Sequence, residues 1–533
     1  MGSNLRILPD KSLSVDPVAL FESSQLSLTV PWNSYGIVVC MARPDPAEPG
    51  LPLKLEPCSN GEYLPSPASK IVRRTIAETN RVADVRSRRL GLSRRQFLQS
   101  SAGMATMMAV LAACSSDEGQ TGGEFNTTTS SSSTTTTSTS PASASSSTAT
   151  EAIDETEETM DEDAATEALA APEGEFIFDI QGHLLEYPDD APGNPGFPQS
   201  NCGEAVPGDC YGIDHFFEAI FVDSETTMVM LSAIPFGNGA LSNTVMQRAV
   251  DTAGRFGCSE RVLMQGESFP TSRGIDVIEE VAANFNINAF KTYTHNGGPA
   301  WRLDDDTGNA YFEKVQEVGV PIVAVHKGLS GNAAAASPVD VGPAAVNHPD
   351  VDILVYHSGY ENSITEGPYS PDADVGVNRL ITSVLDSGSP SNVYAELGST
   401  WRNVMASPNE AAHLLGKLLV HLGEDNILWG TDSLWYGNPQ DQIQLFRAFQ
   451  ISEEFQEQFG YPALTDEMKA KIFGGNAARV FGVDLPELAC GIDETDIQML
   501  RAEREVSFDY PTTNRTYQEL GWQTYQRDFG HRA

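Results

Sequence analysis

Eight short apolar runs, each followed by a helix-length amphipathic segment, constrain the fold of this chain more than any other feature. They are FIFDIQ (176–181), TMVMLS (227–232), RVLMQG (261–266), INAFKT (287–292), PIVAVH (321–326), DILVYH (352–357), NVYAEL (392–397) and NILWGTD (426–432). A strand covered by helices on both faces reads as a continuous apolar run rather than an alternating one. Eight such strands alternating with helices is the arithmetic of an α/β fold, the (β/α)₈ or TIM barrel. We expect that barrel over residues 173–485, with a C-terminal extension over 486–533.

In a parallel barrel all strand C-termini meet on one face, so residues far apart in sequence converge there. Gln181 and His183 follow the first run, Lys291 ends the fourth, His326 the fifth, His357 the sixth, Glu396 the seventh and Asp432 the eighth. A single histidine at a strand end is more often a hydrogen-bonded structural residue than a ligand. Coincidence across several strands shifts the balance. Imidazole nitrogens with a carboxylate are the set that holds Zn²⁺ or a similar divalent ion and leaves a position open for water.

The sequence before the barrel divides by composition. Residues 1–85 show no clear periodicity and are left unassigned. Residues 86–114 contain SRRQFLQSSAGMATMMAVLAAC, where Arg94 and Arg95 precede an apolar run too short to span a hydrocarbon core of ~30 Å. The alternative is a short buried helix, but the pattern resembles a twin-arginine export signal, and Leu111 to Cys114 resemble a lipobox. Cys114 is then the lipidation site, and the expected location is the cell envelope or periplasm, reached by the twin-arginine route. The Ser/Thr-rich and acidic stretch 115–172 cannot bury enough apolar surface to offset the entropy of folding, so we expect a disordered linker.

A net charge of −40 repels phosphate backbones and anionic lipid surfaces. No nucleic-acid partner is expected, and membrane association only through the lipid anchor; a homo-oligomer is compatible with the composition. No CxxC pair suggests a cysteine zinc site. Cys202 and Cys210 flank a short loop and are either a local disulfide or two thiols, since spacing does not fix disulfide geometry.

The fragments DIQGH, AVHKG, VYHSG, WGTD and IFGGNAARVFG together resemble the metal-dependent amidohydrolase superfamily, in its aminocarboxymuconate-semialdehyde-decarboxylase-like branch. By that resemblance, His183, His326 and Asp432 bind the metal or its water, and His357 lines the pocket and orients substrate. The chain departs from the pattern at one place: the usual His-x-His after strand one is Gln181-x-His183. An amide oxygen is a poorer ligand, so Gln181 either binds weakly or holds a water, and one ion, Zn²⁺ with Mn²⁺ next, is expected rather than two. Lys291 stands where some members carry a metal-bridging carbamylated lysine; here a substrate-anion contact or a salt bridge to Glu396 is expected instead.

The resemblance implies metal-assisted hydrolysis of a small carbonyl or carboxylate compound, with Asp432 moving the proton. The same set could decarboxylate a bound acid, and a third alternative is a non-catalytic solute-binding lipoprotein. Trp435 and Tyr360, in the loops after strands eight and six, either wall the substrate pocket or are ordinary packing residues.

Overall fold

The computed structural model describes residues 51–57, 63, 67–119, 121–125, 172, 174–186, 211–235, 241–329, 333–483 and 490–503. Eight parallel strands follow one another in sequence order around a single sheet. They are β1 Phe178–Gly182, β2 Met228–Leu231, β3 Val262–Glu267, β4 Ala289–Tyr293, β5 Ile322–His326, β6 Asp352–Tyr356, β7 Val393–Glu396 and β8 Ile427–Leu428. The last strand meets the first: Ile180 N donates to Trp429 O at 3.1 Å, and Gly182 bridges Ser433 in parallel. This is the (β/α)₈ barrel that the eight apolar runs predict.

Helices occupy the connections, among them Asn243–Arg255 after β2, Asp306–Glu317 after β4, Gly376–Asp386 after β6 and Pro408–His421 after β7. Side chains of Phe178, Ile180, Met228, Met230, Ala324, Leu354, Tyr356 and Leu428 pack as one buried cluster. They come from β1, β2, β5, β6 and β8. β8 has only two residues although its apolar run is seven long. Just beyond it, Thr431 N and Oγ1 donate to the side-chain carboxylate of Asp179 on neighbouring β1 rather than to its backbone.

The described residues ahead of the barrel include three helices and a short strand. Helix α1 (Lys70–Arg89), α2 (Arg94–Leu98) and α3 (Ser101–Asp117) pack together, and α2 begins with a capping box between Ser93 and Gln96. Met107, Met108, Leu111 and Cys114 belong to the same continuous apolar cluster as the barrel residues. The stretch expected to begin a tether at residue 115 instead continues α3 to Asp117 and then forms the strand Gly123–Phe125. That strand pairs antiparallel with Phe449–Ile451, placing Phe125 edge-on against Phe449 at 5.7 Å. Among the described residues no helix is long and apolar enough to cross a membrane.

The C-terminal extension is tied back to the barrel. Cys490 is disulfide-bonded to Cys258, with Cα atoms 5.6 Å apart. Helix Glu494–Glu503 adds ion pairs from Arg501 to Glu218 and from Glu503 to Arg255. Cys202 and Cys210, whether a disulfide or two thiols, and the linker body after residue 125 lie outside the described residues.

Candidate active site

The first strand delivers two polar side chains to the barrel mouth. Gln181 is the penultimate residue of β1, and His183 lies just beyond its end; both are buried. Gln181 Nε2 donates to Asp432 Oδ1 at 3.0 Å. His183 Nε2 stands 2.9 Å from the same oxygen. That approach is off the line of a hydrogen bond, and among the described residues neither ring nitrogen of His183, nor Gln181 Oε1, has a hydrogen-bond partner. Trp435 stacks on the His183 ring, centroids 5.1 Å apart.

The middle strands deliver a row of rings. His326, the last residue of β5, is in register with Tyr293 on one side and Tyr356 on the other. Its ring lies 4.8 Å from Tyr293, 5.0 Å from His295 and 4.6 Å from His357. Burial first, and then the charge of Lys291, push the His326 imidazolium well below its ordinary pKa, so the ring is neutral. His357 Nδ1 is 2.6 Å from Gly398 O. A carbonyl only accepts, so Nδ1 carries a proton. Lys291 is fully buried, with Nζ 3.6 Å from the centre of the Tyr356 ring.

Three carboxyls complete the site, and their environments differ. Burial pushes Glu396 up to about 8, although both of its oxygens accept backbone N–H groups, from His357 and Gly398. Asp179 is pushed up to about 7, again by burial against three opposing hydrogen bonds. Burial acts on Asp432 in the same direction, but His183, His357 and Ser399 together outweigh it and hold Asp432 below the ordinary carboxylate range. Carboxyls whose environments drive their pKa values apart are suited to different proton roles.

The backbone at this face is unusual. His357 (φ 63°), Ser358 (φ 53°), Ser399 (φ 57°) and Asp432 (φ 60°) are all non-glycine residues in the left-handed region. Such strain persists where surrounding contacts over-determine it, and it clusters at functional sites. Glycines at 398 and 430 are required by space: a Cβ at Gly398 would collide with Gln181 Oε1 and Glu396 Oε1, and one at Gly430 with Glu396 Oε1.

The structure thus brings together Gln181, His183, Lys291, His326, His357, Asp432 and Trp435. Tyr360 is buried; burial first, and then Glu410, Glu366, Tyr63 and Glu361, push its hydroxyl well above the ordinary range, and among the described residues no ring contact joins it to the site histidines. Sequence reasoning missed Ser399 and Tyr436, whose hydroxyls reach the Asp432 carboxylate in series. It also missed His295, four positions past Lys291, where the polar run THNGG after β4 was the available signal.

Among the described residues, no three His, Cys, Asp or Glu groups converge closely enough to form a complete metal shell as they stand. The donor chemistry nonetheless fits a divalent cation. Both ring nitrogens of the buried His183 and the amide oxygen of Gln181 have no hydrogen-bond partner among the described residues, and His183 and Gln181 stand beside the ionised Asp432 carboxylate, an arrangement that water or a cation would satisfy.

Residues 245–483 match the family described as Amidohydrolase. His326, His357 and Asp432 fall inside that stretch; Gln181 and His183 precede it. No curated protein matches the chain. Among solved structures, 5-carboxyvanillate decarboxylase from Sphingomonas paucimobilis is similar at 16% identity over 58% of this chain and 100% of that one, with a TM-score of 0.37. 2,6-Dihydroxybenzoate decarboxylase from Rhizobium is 14% identical over 58% and 99%, with a TM-score of 0.35. 5-Carboxyvanillate decarboxylase from Novosphingobium aromaticivorans, complexed with manganese and 4-hydroxy-3-methoxy-5-nitrobenzoic acid, is 14% identical over 59% and 98%, with a TM-score of 0.38. What this chain shares with a known family is the stretch 245–483, from the helix after β2 to the close of the barrel, which is similar to the amidohydrolases.

Proposed function

We propose that this protein is a metal-dependent hydrolase of the amidohydrolase type, acting on a small compound with a carbonyl or carboxylate group. The observation that carries the proposal is Asp432: a buried carboxylate held ionised at the mouth of a barrel, beside His183 and Gln181 and near the row of rings that includes the neutral His326. His183, His326 and Asp432 would hold one divalent ion, zinc or manganese, with Gln181 as a weak ligand or a partner for water. When bound, the ion would supply Lewis acidity toward a carbonyl and lower the pKa of water to roughly 7.

The chain's own residues supply the rest. Asp432 accepts the proton from the attacking water and returns it to the leaving group. His357, fixed through Nδ1 on Gly398 O, presents Nε2 to substrate. Lys291 offers a buried cation to an anionic or carbonyl oxygen, and Trp435 walls the site beside His183. Decarboxylation is the second reading, favoured by one observation: a buried Lys291 close to the neutral His326 is a receptive place for a substrate carboxylate.

A screen of small acids, lactones and amides that follows CO₂ and proton release separately, with wild type beside Asp432→Asn, tests both. Acid without CO₂ supports the hydrolase, and CO₂ without net hydrolysis supports the decarboxylase. Ligand binding with no turnover in either protein would contradict both and support a solute-binding role.

For location, twin-arginine export and lipid attachment at Cys114 are proposed on Arg94, Arg95 and the LAAC sequence. The Cys258–Cys490 bridge supports an oxidising compartment. Cys114 is buried in the intact chain, so processing would require α3 to leave its packing. A chain that stays cytoplasmic and unprocessed, or a Cys114→Ala variant that still partitions with membranes, would contradict this.

A further inference from the structure

A line of hydroxyl groups runs from the N-terminal segment to the carboxylate at the barrel mouth. Asn403 Nδ2 is 2.9 Å from Tyr63 OH. Tyr63 OH is 3.0 Å from Tyr436 OH, and Tyr436 OH is 2.7 Å from Ser399 Oγ. Ser399 Oγ in turn bonds Asp432 Oδ2. Tyr63, Ser399 and Tyr436 are all buried.

The two ends fix the polarity of the line. An ionised carboxylate only accepts, so Ser399 donates to Asp432 and has no second proton to give. Tyr436 must then donate to Ser399, and Tyr63 to Tyr436. The amide nitrogen of Asn403 can only donate, so it completes the series at the far end. Hydrogen bonds aligned in one direction polarise one another, and the effect is strongest in a buried setting. The result for Asp432 is a division of labour between its oxygens: Oδ2 takes the hydroxyl series, leaving Oδ1 to Gln181 and His183.

We propose that Tyr63 is a positioning residue for Asp432, acting through Tyr436 and Ser399, so that the segment N-terminal to the export motif is a working part of the active site. This rests on the reading of Asp432 as the proton-carrying carboxylate. Further contacts tie the same segment to the same face: Lys54 Nζ reaches Tyr436 O at 3.5 Å, and Arg402 Nη2 donates to Glu56 O at 3.1 Å. Tyr63 precedes Cys114 by fifty-one positions. Cleavage before Cys114 would therefore remove the donor to Tyr436, and intact and processed chains would differ in how Asp432 is held.

The test uses the full-length chain, free of metal and labelled with ¹⁵N-histidine. The His183 resonances, identified by their loss in His183→Gln, report on the neighbouring Asp432 carboxylate. Tyr63→Phe keeps the ring and removes the hydroxyl. It is expected to displace the His183 resonances, and that displacement is expected to vanish in a Ser399→Ala background, where the series is already cut. No displacement in the wild-type background, or one that survives in Ser399→Ala, overturns the proposal. Should Tyr63→Phe fold poorly, Asn403→Asp replaces it, since a carboxylate there cannot donate to Tyr63. The readout needs neither substrate nor metal, so failure of the proposed reaction and failure of this inference remain distinct results.

Discussion

Gln181 Nε2 donates to Asp432 Oδ1 at 3.0 Å, joining two residues 251 positions apart where the first and last strands of the barrel meet. The bond uses the amide's donor side, so Gln181 helps orient the carboxylate while its own oxygen has no hydrogen-bond partner among the described residues. Asp432→Asn keeps the side-chain shape and removes the proton carrier. Turnover of whichever substrate the screen identifies is expected to fall by a factor on the order of 10² or more, measured as kcat under saturating substrate. Unchanged turnover would remove Asp432 from the mechanism.

Much of this site is legible in sequence because strand ends in a parallel barrel share one face. His183, His326, His357 and Asp432 follow from that rule once eight apolar runs are counted. What stays hidden depends on tertiary contacts. Tyr63 comes from a stretch without periodicity, and only packing brings it to Tyr436. The apolar run before Cys114 has the same composition in an export signal as in a packed helix. Cys258 and Cys490 pair across 232 positions, which no spacing rule encodes.

Gly398→Ala tests how tightly the mouth is packed. The added Cβ meets Gln181 Oε1 and Glu396 Oε1, neither of which can retreat without breaking contacts to backbone or to Asp432. Overpacking of this kind costs roughly 1–3 kcal/mol, which urea unfolding would register as a lower midpoint with an unchanged slope. A midpoint equal to wild type would show that the mouth is looser than described.

The Cys258–Cys490 bridge closes a loop of 232 residues. Cys490→Ser is expected to lower stability by about 2–4 kcal/mol, chiefly by freeing the unfolded chain. Thermal unfolding with and without reductant measures it. Wild type should become as unstable as the variant when reduced; insensitivity of wild type to reductant would contradict the pairing.

Glu410 gives a pH dependence. Burial, against the hydrogen bond from Glu366 N, pushes its carboxyl from 4.5 up to about 7. The folded chain then holds this proton at pH values where the unfolded chain has lost it, so folding stability falls as pH rises through that window. The contribution is complete below about 4.5 and gone above about 7. Subtracting the stability profile of Glu410→Gln from that of wild type should leave a downward slope confined to this window. An upward slope, or none, would show that the carboxyl is not held protonated by burial.

Metal content is the most direct test of the central claim. Elemental analysis of the purified full-length protein, repeated after loading with zinc or manganese, is expected to give about one tightly held divalent ion per chain. His183→Ala and His326→Ala should each lower that occupancy. A chain that takes up no ion, before or after loading, would contradict the proposed chemistry at its base, and two ions per chain would mean that Lys291 and Gln181 have been given the wrong roles.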